Sequence, residues 1–289
     1  MSNRPEIAAA AHGWPCDAEF RISDDPAAFP VTPCPTYLKT GIGGVCRSGH
    51  ITIQVLETRF RITPGMIVTL LPWQLASVRE VSDDFRITYF TLSQPFFMDI
   101  LSGLWRLRPG FFFYMSRHIA SEPDERNIDR FLAYCDLLTH WYGQASPTCR
   151  RETLVQFLRI YYWTVFMVYI DDPLAQKTRY SHKEELAFRF IQHIVEEHSP
   201  DRDVAFYARK LGISPKSLTN LVRSLSGQSA RDWIVYYTLI EIKSLLRDSA
   251  LDIKSIAART RFPDPATMSR FFRRYTGMSP SEYRESFFF

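Results

Sequence analysis

The chain is short of what a metal or redox centre needs. Its 289 residues hold five cysteines, Cys16, Cys34, Cys46, Cys135 and Cys149. The set is odd, has no C-x-x-C pair and stops at position 149, so it fits neither a disulfide framework nor a zinc module, and the expected compartment is a reducing cytoplasm. Histidines are scattered at His12, His50, His118 and His140 in the first half, whereas a metal-dependent enzyme needs several ligands converging on one mouth. Walker loop, dinucleotide fingerprint and nucleophile elbow are all missing. The expectation is no catalytic residue, no metal and no cofactor. The opening stretch Met1 to Ala18 carries Arg4, Glu6 and prolines instead of a basic run followed by an apolar one, which argues against secretion. The most lipid-like stretch, LVQFLRIYYWTVFMVYIDD, is broken by Gln156 and Arg159. That leaves Ile160 to Ile170, too short to span a bilayer, so this helix is expected in a core or subunit interface, with no membrane partner.

What is present describes a globular protein of two domains, or two and a linker. Apolar residues make up 46% and charged residues 23%, the balance of a folded chain. Charge is uneven. Lys183 to Phe289 holds 17 Lys+Arg against 13 Asp+Glu, and the totals of 35 and 31 leave 18 of each elsewhere. The whole positive surplus lies in the last third, where a polyanion partner is to be sought.

From Tyr37 to Phe97 apolar residues alternate in ITIQVL, RFRI, MIVTLL and FRITYFTL, broken by SGH, TPG, LPWQ and SDD. Such runs predict an antiparallel sandwich or barrel, with Val81-Ser82-Asp83-Asp84 as a hairpin link. Helices are predicted over Pro95 to Leu104, Ile128 to Tyr142 and Arg151 to Tyr169, and exposed apolar helices of this kind serve dimerisation. A barrel lined by Tyr37, Trp73 and Tyr89, with His50 at a turn, can hold a small ligand, although an aromatic core explains the same residues.

The last third uses one phrase twice: GQSARDWI from Gly227 and GMSPSEYR from Gly277. Before the first copy, Asp203 can cap a helix on which Val204, Ala208 and Leu211 share a face, and Gly212 permits the left-handed turn that ends it. Ser214 caps the next helix, with Pro215 at its first position. There Leu218, Leu221, Val222 and Leu225 form the inward stripe, leaving Lys216, Thr219, Asn220 and Arg223 outside. This is the helix-turn-helix pattern, whose second helix enters the major groove. Before the second copy the pattern recurs: Asp252 as cap, Ile253, Ile256 and Ala257 inside, then Asp264 and Pro265 starting a helix. On that helix Met268, Phe271, Phe272 and Tyr275 are expected inward, and Thr267, Ser269, Arg270, Arg273 and Arg274 outward. Each copy of the phrase predicts a glycine ending the recognition helix, a serine capping the next, and Trp233 or Tyr283 locking that turn to the core. Between the modules Arg231 to Arg247 predicts an unbroken helix of roughly 24 Å, a rod able to hold two readers about one DNA turn, near 34 Å, apart.

This double module resembles the DNA-binding domain of the AraC/XylS family of bacterial transcription regulators. The resemblance covers roughly Glu184 to Tyr283 and is most specific in Ile256-Ala257, Phe262, Asp264, Arg270 to Gly277 and Ser279-Pro280. The departures are Arg261 where the family has glycine, Met268 for phenylalanine, and Thr238 and Ile242 for Arg and Ala in the connecting helix. A non-glycine residue in a left-handed turn costs about 1 kcal/mol. The resemblance implies an α+β chain with a cupin-like antiparallel β-barrel and flanking helices, then an all-α domain. The corresponding ranges are a sensor barrel at 1–112, a helical dimerisation or linker region at 113–180 and the tandem helix-turn-helix domain at 181–289. Implied partners are double-stranded DNA, RNA polymerase, a small-molecule effector held near Tyr37, His50, Trp73 and Tyr89, and a second copy of the chain. Lys216, Thr219, Asn220, Arg223, Thr267, Ser269, Arg270, Arg273 and Arg274 are the expected DNA contacts. The rival reading is a barrel enzyme or ligand-binding protein whose helical part mediates protein contacts.

Overall fold

The computed structural model describes residues 19–102, 111, 114–146, 148–171, 181–196, 202–247 and 251–285. Met1 to Ala18, with His12 and Cys16, and the expected helix end at Leu104 lie outside the described residues.

Contacts divide the chain into two compact units, one formed by residues up to Phe97 with Phe111–Phe157, the other by Met98–Gly110 with Leu158–Phe289. Among the described residues the first unit holds eight strands: β1 (Phe20–Ser23), β2 (Thr36–Tyr37), β3 (Thr40–Ser48), β4 (Ile51–Val55), β5 (Thr58–Ile62), β6 (Ile67–Leu70), β7 (Leu75–Val81) and β8 (Arg86–Ser93). They form two four-stranded antiparallel sheets, in the orders β1-β8-β3-β6 and β2-β7-β4-β5. One core is shared: Ile42, Cys46, Val68, Leu70 and Ile87 come from the first sheet, and Ile51, Ile53, Val55 and Ile62 from the second. Each such aliphatic side chain stabilises the fold by roughly 1.5–3 kcal/mol when fully buried.

The expected cupin-like barrel is not closed. Strands β5 and β6 are consecutive in sequence yet are edge strands of different sheets, so hydrogen bonding does not run round a ring. Alternation fixes which side chains face inward, a property that barrel and sandwich share. The Val81–Asp84 link is likewise no hairpin, because β7 and β8 belong to different sheets. Its Ser82 hydroxyl accepts the His50 N–H at 2.8 Å, tying this crossing to the β3–β4 crossing. Strand β3 escaped the alternation rule because it reads TGIGGVCRS. Gly44 is required there: a Cβ would stand 2.8 Å from that of Tyr89, its partner on β8.

Helices α1 (Gln94–Leu101), α2 (Arg126–Gln144) and α3 (Arg150–Asp171) occupy the three predicted regions. Among the described residues α3 is the one helix long and apolar enough to cross a membrane, whereas the sequence reading counted only the run after Arg159; the Arg159 guanidinium donates to the Asp99 and Ile100 carbonyls at 3.1 and 3.3 Å. The helix buries Leu158, Tyr162 and Phe166 but exposes Ile160, Trp163, Met167, Val168 and Ile170.

The second unit continues with α4 (His182–Glu196), α5 (Val204–Lys210), α6 (Pro215–Ser226), α7 (Ala230–Arg247), α8 (Ile253–Arg259), α9 (Pro265–Thr276) and α10 (Pro280–Glu285). The long helix α7 touches α4, α5 and α6 on one side of the sequence and α8 and α10 on the other. At about 1.5 Å per residue it is roughly 27 Å long. Val235, Leu239, Ile242 and Leu246 of α7 join Ile256, Met268, Phe272 and Tyr283 in one apolar core. Lys243 of α7 pairs with Asp99, both buried, an arrangement in which removing either partner strands the other charge.

Candidate nucleic-acid interface

Local chemistry builds the two modules in the same way. In the first, the Asp203 carboxylate accepts the Ala205 N–H at 3.1 Å. The turn runs through Gly212 at φ 69, its N–H bonding the Arg209 carbonyl at 3.1 Å and that of Ile213 the Ala208 carbonyl at 3.0 Å. Ser214 Oγ then accepts the Ser217 N–H at 3.0 Å, and Pro215 opens α6. In the second, Asp252 accepts from Ser255 at 2.7 Å. The turn residue is Arg261 at φ 53, and its N–H bonds Ala258 at 3.1 Å while that of Phe262 bonds Ala257 at 2.8 Å. Asp264 accepts the Thr267 N–H and hydroxyl, both at 2.7 Å, and Pro265 opens α9. A side chain has replaced glycine without altering the hydrogen bonds of the turn.

The duplicated phrase is a helix stop followed by a helix start. Gly227 at φ 71 and Gly277 at φ 79 end α6 and α9 in the left-handed conformation. Reciprocal capping boxes follow. Ser229 N–H donates to Asp232 at 2.9 Å and Asp232 N–H to Ser229 Oγ at 3.2 Å; Ser279 and Glu282 repeat the exchange at 2.6 and 3.2 Å. Trp233 Nε1 donates to Ser226 Oγ at 2.8 Å, and the Tyr283 ring meets Phe272 edge-on at 5.3 Å.

These bonds set the acid–base character of the caps. The Ser255 hydroxyl and N–H hold the Asp252 carboxyl below the usual carboxylate range. The Thr267 N–H and hydroxyl do so for Asp264, and the Ser279 N–H and hydroxyl for Glu282.

On α6, Leu218 and Val222 are buried, Leu221 and Leu225 half-buried; Lys216, Asn220 and Arg223 are exposed and Thr219 half-buried. On α9, Met268 and Phe272 are buried, Arg270, Arg273 and Arg274 exposed, and Thr267 and Ser269 half-buried. Tyr275 departs from expectation. It is 41% exposed, because Tyr283 occupies the place beside Phe272 and Tyr275 lies outside on the Phe271 ring, 5.0 Å between centroids.

Sequence reasoning missed a groove of about 620 Å³ beside α9. Arg231 and Val235 of α7, Arg202 from before α5, and Arg261, Phe262, Arg270, Phe271, Arg274 and Tyr275 of the second module line it. Arg202 lays its guanidinium 3.3 Å from the Phe262 ring centre and donates to the Thr260 carbonyl at 2.6 Å. No local signal announces the groove, since its walls come from segments far apart in the chain.

The four residues proposed for an effector have separate settings in the first unit. Tyr37 lies in β2 opposite Leu75. His50 pairs with Glu80 at 3.3 Å, which lowers the Glu80 carboxyl. Trp73 is buried with its ring 5.9 Å from Phe97, and Tyr89 is buried edge-on to Phe29 at 5.1 Å, its hydroxyl on the Asp25 carbonyl. None of them lines the groove beside α9 or the smaller cavity at Trp141 and Phe157.

Comparison with known proteins places this geometry. A helix-turn-helix domain family matches residues 207–286. The arabinose operon regulatory protein of Salmonella typhimurium is 32% identical over 92 residues, 32% of each chain. The HTH-type transcriptional activator RhaR of Yersinia pseudotuberculosis is 36% identical over 85 residues, 29% of each. The chain thus spans about a third of the length of the curated relatives it matches. Among solved structures, ToxT from Vibrio cholerae aligns with 93% of this chain and 96% of its own at 15% identity and TM-score 0.35. The DNA-binding domain of AdpA in complex with a target DNA aligns with 37% of this chain and 94% of its own at 25% identity and TM-score 0.32. The paired modules over residues 207–286 are thus a helix-turn-helix domain of the AraC/XylS type.

Proposed function

We propose that the whole protein is a sequence-specific DNA-binding transcription regulator. One observation carries this reading: two helix-turn-helix modules with matching caps and turns share α7 and leave polar, basic faces on α6 and α9 exposed. Lys216, Thr219, Asn220 and Arg223 on α6, and Thr267, Ser269, Arg270, Arg273 and Arg274 on α9, divide between base edges and phosphates. Asn220 and the arginines offer bidentate contacts to adenine and guanine, while Lys216 and the helix starts position the backbone. Thr267 already serves the Asp264 cap and receives Arg270 at 3.2 Å, so it orients Arg270 as well as offering a contact.

Control in this proposal comes from a small-molecule effector held by the first unit, or from a second copy of the chain met through the part of α3 that belongs to the second unit. The exposed Ile160, Trp163, Met167 and Ile170 of α3 recur at three- and four-residue steps, the spacing of a helix seam that pairs with its like. Selection of bound duplexes from a random pool by the full chain tests the regulator reading. The expected product is a site with two conserved blocks about one helical turn, roughly 10 bp, apart. A pool that never enriches sinks the reading, and one short block limits it to a single engaged module.

A further inference from the structure

One buried ion pair of the second unit has no part in the interface described above. The end of α1, from Met98, belongs to that unit, although the chain up to Phe97 and from Phe111 to Phe157 belongs to the first. There Asp99 pairs with Lys243 of α7, and both are buried. Neither residue type suits its place. A carboxylate near the C-terminal end of a helix opposes the helix dipole, and Asp99 stands two residues before the last of α1. Lys243 lies among the buried Leu239, Ile242 and Leu246 of α7. Apolar residues of similar volume would serve stability as well or better, so the pair is better explained by the position it fixes. Apolar contact is non-directional and survives a small slide of one helix along another, whereas a slide separates two charges whose attraction is strong in a low-dielectric interior. Neighbouring bonds extend the pair at both ends. The Asp99 carbonyl accepts from Arg159 of α3 at 3.1 Å and from the Ser102 hydroxyl at 2.7 Å. Lys243 Nζ lies 5.3 Å from the centre of the Tyr283 ring, and that ring meets Phe272 of α9 edge-on. The next residue, Arg284, donates to the Leu246 carbonyl of α7 at 3.2 Å.

We propose that Asp99 and Lys243 are positioning residues for DNA binding: their ion pair sets the register of α1 against α7 and, through Tyr283, the seat of α9 on its core. The inference rests on the regulator reading and adds to it two residues that touch no DNA. Its effect is selective. Tyr283 is the lock of the second module, whereas Trp233, the lock of the first, is held by its own bond to Ser226 Oγ. A change at the pair therefore falls on the second reader and spares the first.

The test measures affinity of the full chain for its selected duplex and for two derivatives, each with one of the two sequence blocks scrambled. The block that Asn220→Ala relaxes belongs to α6 and the other to α9. The double variant Asp99→Leu/Lys243→Met removes both charges, keeps apolar bulk and should melt near the wild-type temperature. Its affinity for the intact duplex is expected to fall roughly 5- to 150-fold, the usual range of coupling between sites. That loss should sit in the α9 block, so that scrambling this block costs the variant little while scrambling the α6 block costs it as much as wild type. Ile242→Val, at a fully buried position of the same helix, keeps both charges; it should lower the melting temperature and leave the balance between the blocks unchanged. A folded double variant with wild-type affinity, equal losses at both blocks, or an Ile242→Val chain that shifts the balance as far overturns the proposal and leaves the regulator reading standing. Far-ultraviolet circular dichroism establishes folding. If the double variant does not fold, Asp99→Asn, of the same shape, decides: a weakened α9 block supports the proposal and a wild-type balance overturns it. A wild-type chain that enriches no duplex overturns both readings, and one that enriches the α6 block alone overturns the positioning role.

Discussion

The two helix-turn-helix modules share a hydrogen-bond plan and differ in what they place on it. The first turns on Gly212 and shows a sparse polar face, with Lys216, Asn220 and Arg223 exposed; the second turns on Arg261 and shows Arg270, Arg273 and Arg274. Plan and surface vary independently, since a cap or turn needs only one or two residue types at fixed offsets. Under the proposed function, the denser positive charge of the second module predicts that it contributes more of the phosphate contacts than the first.

Core truncation breaks the comparison hardest. Phe272→Ala should cost about 3–5 kcal/mol and Leu218→Ala about 2–5 kcal/mol, read by denaturant unfolding, because both side chains are fully buried and leave cavities. Equal and negligible losses would mean that the modules are not packed as described. Next in size, Asn220→Ala should relax the preference at one base position by about 1–3 kcal/mol in competition binding. Arg273→Ala should instead weaken all sequences alike and flatten the salt slope by about 1. An Arg273 variant that changes sequence preference but not salt dependence would reverse the assignment.

The turns offer a smaller and opposite pair of effects. Arg261→Gly should raise unfolding stability by about 1 kcal/mol, and Gly212→Ala should lower it by a similar amount, since both positions hold positive φ and only glycine adopts it without strain. Matching signs would refute the equivalence of the two turns. Smallest is an acid effect. Asp252, Asp264 and Glu282 have carboxyls lowered by their cap hydrogen bonds. Their stabilisation is therefore present above the ordinary carboxylate range of about 4 and is lost as pH falls through the lower folded values. Thermal melts from neutral to acid pH should show a shallower acid decline in Asp264→Asn, which keeps an oxygen acceptor but cannot protonate.

Much of the second unit was legible because its signals are local. Ser214-Pro215 and Asp264-Pro265 announce a helix start within two residues, and Gly227 and Gly277 announce its end. Tyr275 was misplaced because its burial depends on Tyr283 having taken the site beside Phe272, a competition that periodicity does not contain. The first unit was harder. Alternation gave β4, β5 and β8, but β3 was hidden by Gly41, Gly43 and Gly44, and the sheet to which each strand belongs is decided by partners tens of residues away, such as Gly44 with Tyr89. The groove arginines Arg202 and Arg231 were invisible for the same reason.

Helix α7 has a consequence for how this region comes apart. Because the same rod is in contact with the helices of both modules, loosening one reader removes part of the wall against which the other is packed. Damage at either end is expected to be shared, so that the pair melts as a single cooperative block, a behaviour that beads joined by a slack tether do not show.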